Sequence, residues 1–415
     1  STFRRPAEKP VLRFYTSIMA SKRVFVVAAK RTPFGTFGKS LKDLTATQLS
    51  AHANKAALAA AGVDPKLVDT VTIGNVQQTS GDTIYLSRHA GLMAGVDEAT
   101  PCLTVNRLCG SGFQSVATGA TDIILGDAEI ALCGGAESMS QAPFALRGIR
   151  WGTTLGKDEK AVDTLWEGLT DQYAGCPMAI TAENLAEEYD ISKADCDAYA
   201  HRSQQTWAAA NAAGKFDDEI APVELKTRRG TVEFKTDEHP RPETTVEQIQ
   251  GLKAIFKKDG TVSAGNASGI SDGAAALVLA SEDAVAKHNL KPLVEVIGWH
   301  SAGVDPTRMG IGPVPAIRGV LEKTGLSLDD IDRFEINEAF AAQYLACEKE
   351  LGLNPDICNV NGGAIALGHP TGASGSRILG HLAHEVARSD GALKYAIGSA
   401  CIGGGQGIAV VLKAV

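Results

Sequence analysis

The sequence predicts an α/β protein made of two related layered halves, an αβαβα arrangement, with a loop subdomain inserted into the first. Three observations predict it. Short apolar runs alternate with alanine-rich or amphipathic stretches that end at glycine, the pattern of strands and helices packed in layers. The order of elements recurs: Gly62 and Gly325, Asp69 and Asp332, and Ile73 and Ile336 are each 263 positions apart. Between the repeats, residues 139–264 or so are more polar and more helical. A chain of 415 residues holds two or three domains. The expected division is a basic N-terminal extension over 1–22, a first domain over 23–290 that carries the insertion, and a second over 291–415.

Each element has a local signal. Residues 23–28 form an apolar run with strand character. A helix follows over 45–61, opened by threonine and stopped by Gly62. Strands are expected at 68–75, 101–106 and 129–134, with a helix at 111–125. The second half repeats the order: a helix over 311–324 stopped by Gly325, strands at 332–336, 358–361 and 395–399, and a helix over 374–388. In this alignment Val105-Asn106 matches Val360-Asn361, and Cys133 matches Cys401. In the insertion, 181–189 and 192–213 read as helices, the second opened by Ser192 with Asp195 three residues on. The polar stretch 223–259 reads as loop, and the insertion as a whole is either a solvated excursion or a lid or ligand clamp.

Composition narrows the function. The hydrophobic share of 44% is enough for a large core. The apolar stretch 274–280 is far too short to span a bilayer. A net charge of −8 argues against broad nucleic-acid binding. Glycine is over-represented at 44 residues, which points to close backbone approach to a ligand. The eight cysteines form no CxxC pair and no zinc-finger spacing, so reduced thiols inside a cell are expected. Residues 1–23 carry Arg4, Arg5, Lys9, Arg13, Lys22 and Arg23 against the single acid Glu8, the balance of a mitochondrial targeting segment. The competing reading is residues lying ahead of a natural start at Met19.

Four constellations bear chemistry. In Asn106-Arg107-Leu108-Cys109-Gly110-Ser111-Gly112 a cysteine sits at a strand-to-helix junction, where the helix terminus favours thiolate; a buried structural cysteine is the competing reading. In Gly368-His369-Pro370, after a glycine-rich run, a histidine is placed to move a proton or steady an oxyanion, although a lone histidine is more often structural. Gly398-Ser399-Ala400-Cys401-Ile402-Gly403-Gly404-Gly405 puts a second cysteine before glycines whose amides could form an oxyanion hole. It lacks the lysine of a phosphate loop. Asn337-Glu338-Ala339-Phe340 ends a predicted strand, where a helix cap is the plain alternative.

Together these segments resemble the thiolase family across residues 23–415. Asp237-Glu238-His239 with Arg241-Pro242, Gly265-Asn266-Ala267-Ser268-Gly269 and the run 133–143 add to the likeness, which is strongest to the mitochondrial 3-ketoacyl-CoA members. Thr371 and Ala373 depart from the family's Leu and Gly. The resemblance implies the thiolase fold and cleavage of a 3-ketoacyl-CoA by CoA in fatty-acid β-oxidation. Cys109 would be the nucleophile, His369 its proton acceptor and Cys401 the acid and base at the enolate carbon. Asn337 would hold a water at the enolate oxygen. The amides of Cys109 and Gly403 would receive the tetrahedral oxygen. Arg241, Thr244 and Ser268 would contact CoA, and Met178 is a candidate for the acyl pocket. CoA is then a substrate, with no metal and no permanently bound cofactor, in a mitochondrial-matrix dimer or tetramer without a membrane span. Two other readings are a decarboxylating condensing enzyme, disfavoured by Cys401, and a non-catalytic acyl-CoA carrier, which needs no paired thiols.

Overall fold

In the computed structural model, residues 22–228 and 230–415 are described. The expected targeting segment therefore lies almost wholly outside the described residues. Nine strands carry the architecture: β1 Val24–Arg31, β2 Thr70–Gly74, β3 Cys102–Val105, β4 Ile130–Ser138, β5 Ser271–Ser281, β6 Val294–Gly303, β7 Arg333–Ile336, β8 Tyr395–Ile402 and β9 Gln406–Ala414. They run in the order β7-β8-β9-β6-β1-β5-β4-β2-β3, and Gly35–Thr36 pairs beside β5 as a tenth. The halves meet at β1 and β6, which pair only at Phe25 with Glu295 and Val26 with Val294.

The main helices are α1 Ala46–Ala61, α2 Ser111–Leu125, α3 Met178–Glu188, α4 Lys193–Ala212, α5 Pro313–Thr324, α6 Ala341–Leu351 and α7 Ser374–Ala387. Between the two half-sheets, Phe113, Val116 and Ile123 of α2 pack with Ile378, Leu379 and Leu382 of α7, against Leu279 on one side and Val410 on the other. Each such side chain contributes roughly 1.5–3 kcal/mol on leaving water. Helix α1 covers the outer face of the first half. Helices α5 and α6 cover the second, where α3 and α4 of the insertion join them. These five layers are the αβαβα arrangement.

The repeat signals act alike in both halves. Gly62 and Gly325 are left-handed C-caps of α1 and α5. The Asp69 carboxylate accepts the amides of Glu129 and Ile130, and Asp332 accepts those of Lys394 and Tyr395. Thr45 and Ser192 each close the capping box that their helices need.

Three expectations change, and one central strand is unforeseen. Residues 358–361 form no strand; Cys358 makes a single bridge to Phe334. The chain turns at Asn359 (φ 46°), whose side-chain amide bonds both the N–H and the carbonyl of Ile336, replacing a strand edge. The stretch 223–259 contains a hairpin, Val223–Thr227 with Gly230–Phe234, and a short helix, Val246–Gln250. Strand β5, central in the sheet, is buried at every position, so it shows no alternation by which to recognise it. Finally, Ile73 pairs with Gly134 while Ile336 pairs with Ser399. Cys401 thus corresponds to Ala136, and Cys133 instead packs against Gly119 of α2.

The central helices touch at glycines. A Cβ on Gly112 would lie 2.3 Å from the Ser376 amide nitrogen, and one on Gly375 would lie 2.4 Å from that of Phe113. Gly375→Ala is expected to cost about 1–3 kcal/mol through overpacking. Thermal unfolding of the variant beside the parent checks this, and an unchanged midpoint would show that the crossing has slack.

Candidate active site

The glycine crossing sets the N-terminal ends of α2 and α7 side by side, and the turns preceding them open on one cavity of about 190 Å³. Met139, Trp166, Met178, Phe256, Met309 and Phe340 make most of its wall apolar. Trp166 and Phe256 stack with ring centres 6.5 Å apart. Cys109, Ser268, His369 and Thr371 supply polar groups. Met178, a candidate for the acyl pocket from sequence, is among the lining residues.

Cys109 is half-buried, on the turn between β3 and α2. The preceding Leu108 is held at φ 47°, a left-handed conformation that costs a branched residue about 1–2 kcal/mol. The turn is fixed by Asn106, whose side-chain Oδ1 accepts the Leu108 amide at 2.9 Å. Ser111 also holds it, accepting from the Arg107 amide and donating to the Leu108 carbonyl. Burial pushes the Cys109 thiol up to about 11, against the opposing pull of the Gly403 and Cys109 amides, and the Glu137 charge raises it further. The sequence argument from the helix terminus gave the opposite direction. Cys109 lies ahead of the helix proper, and desolvation outweighs the two amides that reach its sulfur.

His369 is buried and held on three sides. Its amide donates to the Gly269 carbonyl at 2.8 Å. Its Nδ1 lies 2.6 Å from Ser374 Oγ, which donates to the Pro370 carbonyl. Its Nε2 lies 3.3 Å from Asn337 Nδ2. An amide nitrogen can only donate, so this chain assigns the tautomer: Nδ1 carries the proton toward Ser374 and Nε2 keeps a lone pair. Burial lowers the imidazole to about 4, so it is neutral at pH 7. Asn337 follows β7 and its amide bonds the Ser399 carbonyl. Its buried Oδ1 has no hydrogen-bond partner within the described residues.

Cys401 is fully buried on β8, packed with Met309 and Ala339, two residues of the cavity wall. Burial raises its thiol well above the usual range, and a thiolate at Cys109 or Cys347 would push it the same way. The two cysteines, far apart in sequence, are therefore electrostatic neighbours. Gly403 opens the turn from β8 to β9. A Cβ there would come within 3.1 Å of Leu108 and 3.4 Å of Met178 Sδ, so the absent side chain leaves its amide facing Cys109. The left-handed residues of this turn are Gly404 and Gly405, not Gly403.

The three residues expected at CoA are less tightly grouped. Ser268 lines the cavity, with its amide on the Ala339 carbonyl. Arg241 is exposed and bonds the carbonyls of Glu238, His239 and Pro240. Thr244 stands in the same loop, its amide on the Arg241 carbonyl. Neither lines the cavity. The loop reaches the site through His239, whose ring leaves no room for a Cβ on Gly269.

Sequence reasoning missed the supporting residues. Ser374 lay unnoticed within the histidine motif. Glu338, passed over beside Asn337, is buried and accepts from Tyr199, Ser203, Asn359 and the Ile365 amide. Tyr199 and Ser203 belong to α4, so the insertion braces the strand end that carries Asn337. Among the described residues no cluster of three or more His, Cys, Asp or Glu is placed to hold a metal ion, and no helix is long and apolar enough to cross a membrane.

The thiolase N-terminal domain matches residues 24–283, and the thiolase C-terminal domain matches 290–414. The mitochondrial 3-ketoacyl-CoA thiolases of Bos taurus and Homo sapiens are each 61% identical over 390 residues, 94% of this chain and 98% of theirs. The crystal structure of the human mitochondrial enzyme superimposes with a TM-score of 0.93 at 60% identity, covering 95% of this chain and 99% of that one. Its complex with CoA gives 0.92 at 59% identity, covering 95% and 98%.

A thiol titrating near 11 predicts a plain signature. Alkylation of Cys109 by iodoacetamide should accelerate about tenfold per pH unit from 7 to 10 without levelling off. Peptide mass spectrometry of the labelled protein checks it. A plateau below pH 9 would show that the amides outweigh burial.

Proposed function

The chain belongs to the thiolase family, and from that we propose that it is an acyltransferase cleaving 3-ketoacyl-CoA with CoA to acetyl-CoA and an acyl-CoA two carbons shorter. The observation that carries this reading is the convergence of Cys109 and His369 on one apolar cavity, with Asn337 bonded to His369 and Cys401 packed against the cavity wall. Binding alone needs no such set.

In this reading the resting pair is a neutral thiol and a neutral imidazole. The Cys109 proton passes to His369 Nε2 as sulfur bonds to the 3-keto carbon. The oxygen becomes anionic and takes the amides of Cys109 and Gly403, the two donors already directed at the sulfur. Collapse breaks the C2–C3 bond, leaving an acyl thioester on Cys109 and an acetyl-CoA enolate. Protonated His369 and a water accepted by Asn337 Oδ1 stabilise the enolate oxygen. Cys401 gives its proton to C2, and acetyl-CoA departs. The Cys401 thiolate then takes the proton of incoming CoA. The CoA sulfur attacks the acyl carbon and forms the shortened acyl-CoA, and Cys109 recovers its proton from His369. Condensation is the same path reversed. The thioester makes the kinetics ping-pong.

A thiol as acid and base at carbon fits the burial of Cys401: its anion is costly and short-lived, so it returns the proton quickly. Ser268 at the cavity, with Arg241 and Thr244 on the outer loop, is assigned to CoA, which is a substrate rather than a resident cofactor. The mitochondrial relatives support a mitochondrial site; the matrix as compartment and a homo-oligomer, dimer or tetramer, as the working form belong to the proposal.

Cys109→Ala is expected to retain CoA binding and to form no acyl-enzyme with labelled 3-ketoacyl-CoA; a stable adduct on that variant would remove Cys109 as nucleophile. Asn337→Ala should lower kcat for thiolysis by about 100- to 1,000-fold, the usual loss of one oxyanion donor. A thiolysis assay over 3-ketoacyl-CoA chain lengths measures the Asn337→Ala loss and sets the substrate range.

A further inference from the structure

Glu137 has no part in the chemistry above, yet it is the penultimate residue of β4, fully buried, and receives five hydrogen bonds. Three come from the first half: Asn75 Nδ2 at 3.1 Å and the amides of Val76 at 3.1 Å and Gln77 at 3.0 Å. Two come from the second: Thr371 Oγ1 and the Gly372 amide, each at 2.9 Å. Thr371 and Gly372 lie two and three residues beyond His369. The contact is close, because a Cβ on Gly135 would fall 1.9 Å from the Gly372 oxygen. Five donors on two oxygens saturate a carboxylate, and a neutral acid cannot accept them all.

We propose that Glu137 is a positioning residue for thiolysis: through Thr371 and Gly372 it ties the loop bearing His369 to the first half, and so sets the imidazole against Cys109. Thr371 is specific to this arrangement, since a side chain without a hydroxyl makes no such bond. Glu137 acts on the histidine through the loop, while its charge reaches the Cys109 sulfur. Burial lifts the carboxyl to about 7, against the pull of the Gln77, Thr371, Gly372 and Val76 donors. The clamp is therefore complete only above about pH 7, where the carboxyl is charged and can accept all five donors.

The activity arm of the test rests on the thiolase reading; the labelling arm does not. Glu137→Gln, Thr371→Val and Thr371→Ser are compared with the parent by thiolysis kinetics and by the pH dependence of Cys109 alkylation. Glu137→Gln removes a negative charge, so its alkylation profile should move to lower pH. Its kcat should fall about 10- to 100-fold, the cost of a displaced catalytic group, while KM for CoA changes less than about twofold. Thr371→Val should lose about two- to tenfold in kcat, one hydrogen bond's worth, and Thr371→Ser should restore it. Unshifted labelling with parental kcat in Glu137→Gln overturns the proposal. So does an equal loss in both Thr371 variants, which is decisive even if Glu137→Gln fails to fold. A parent without thiolysis overturns the functional reading instead and leaves labelling to judge Glu137.

Discussion

The contact on which the rest of the molecule depends is the crossing of α2 and α7 at Gly112 and Gly375. Backbone meets backbone there, with no space for a methyl group on either side. Two consequences follow from one steric fact. The half-sheets are drawn onto a shared middle layer, which gives the protein a fully buried apolar core between them. The turns that precede the two helices, one bearing Cys109 and the other His369, are also forced onto the same patch. A site assembled from two halves needs such a fixed point, because misplacement by an ångström is costly to catalysis.

Burial then sets the electrostatics. Both thiols of the site are held protonated and the imidazole is held neutral. The amides of Cys109 and Gly403 oppose this at Cys109 without overcoming it. In the proposed reaction, ionisation is thus deferred until a substrate presents a carbonyl on which negative charge can settle. Such a site keeps its sulfurs unreactive when idle and uses preorganised dipoles only when charge develops.

Second-layer polar groups convert this frame into defined side-chain positions. Ser374 fixes the histidine tautomer. Glu338, gripped by Tyr199 and Ser203 of the insertion, steadies the segment that presents Asn337. The insertion is therefore both a wall of the cavity, through Trp166 and Met178, and a brace for the opposite half. Buried carboxylates that are fully hydrogen-bonded suit this role, since each donor lost leaves a costly orphan.

Much of this was legible in the chain. Helix starts at Thr45 and Ser192, helix ends at Gly62 and Gly325, and the turns holding Cys109 and His369 all rest on signals within a few residues, which is why they could be read locally. Asp69 and Asp332 even announced the duplication. The tertiary structure decided what depends on distant neighbours. Strand β5 is central yet carries no alternation. The ladder, not the cysteine match, pairs Cys401 with Ala136. The strand expected at 358–361 yielded to a single asparagine side chain. The direction of the Cys109 shift reversed because desolvation sums over everything packed around a sulfur, whereas a helix terminus is visible in sequence by itself. Glu137 and Glu338 stayed hidden for the same reason: the partners that define them come from four separate segments, and only folding brings those together.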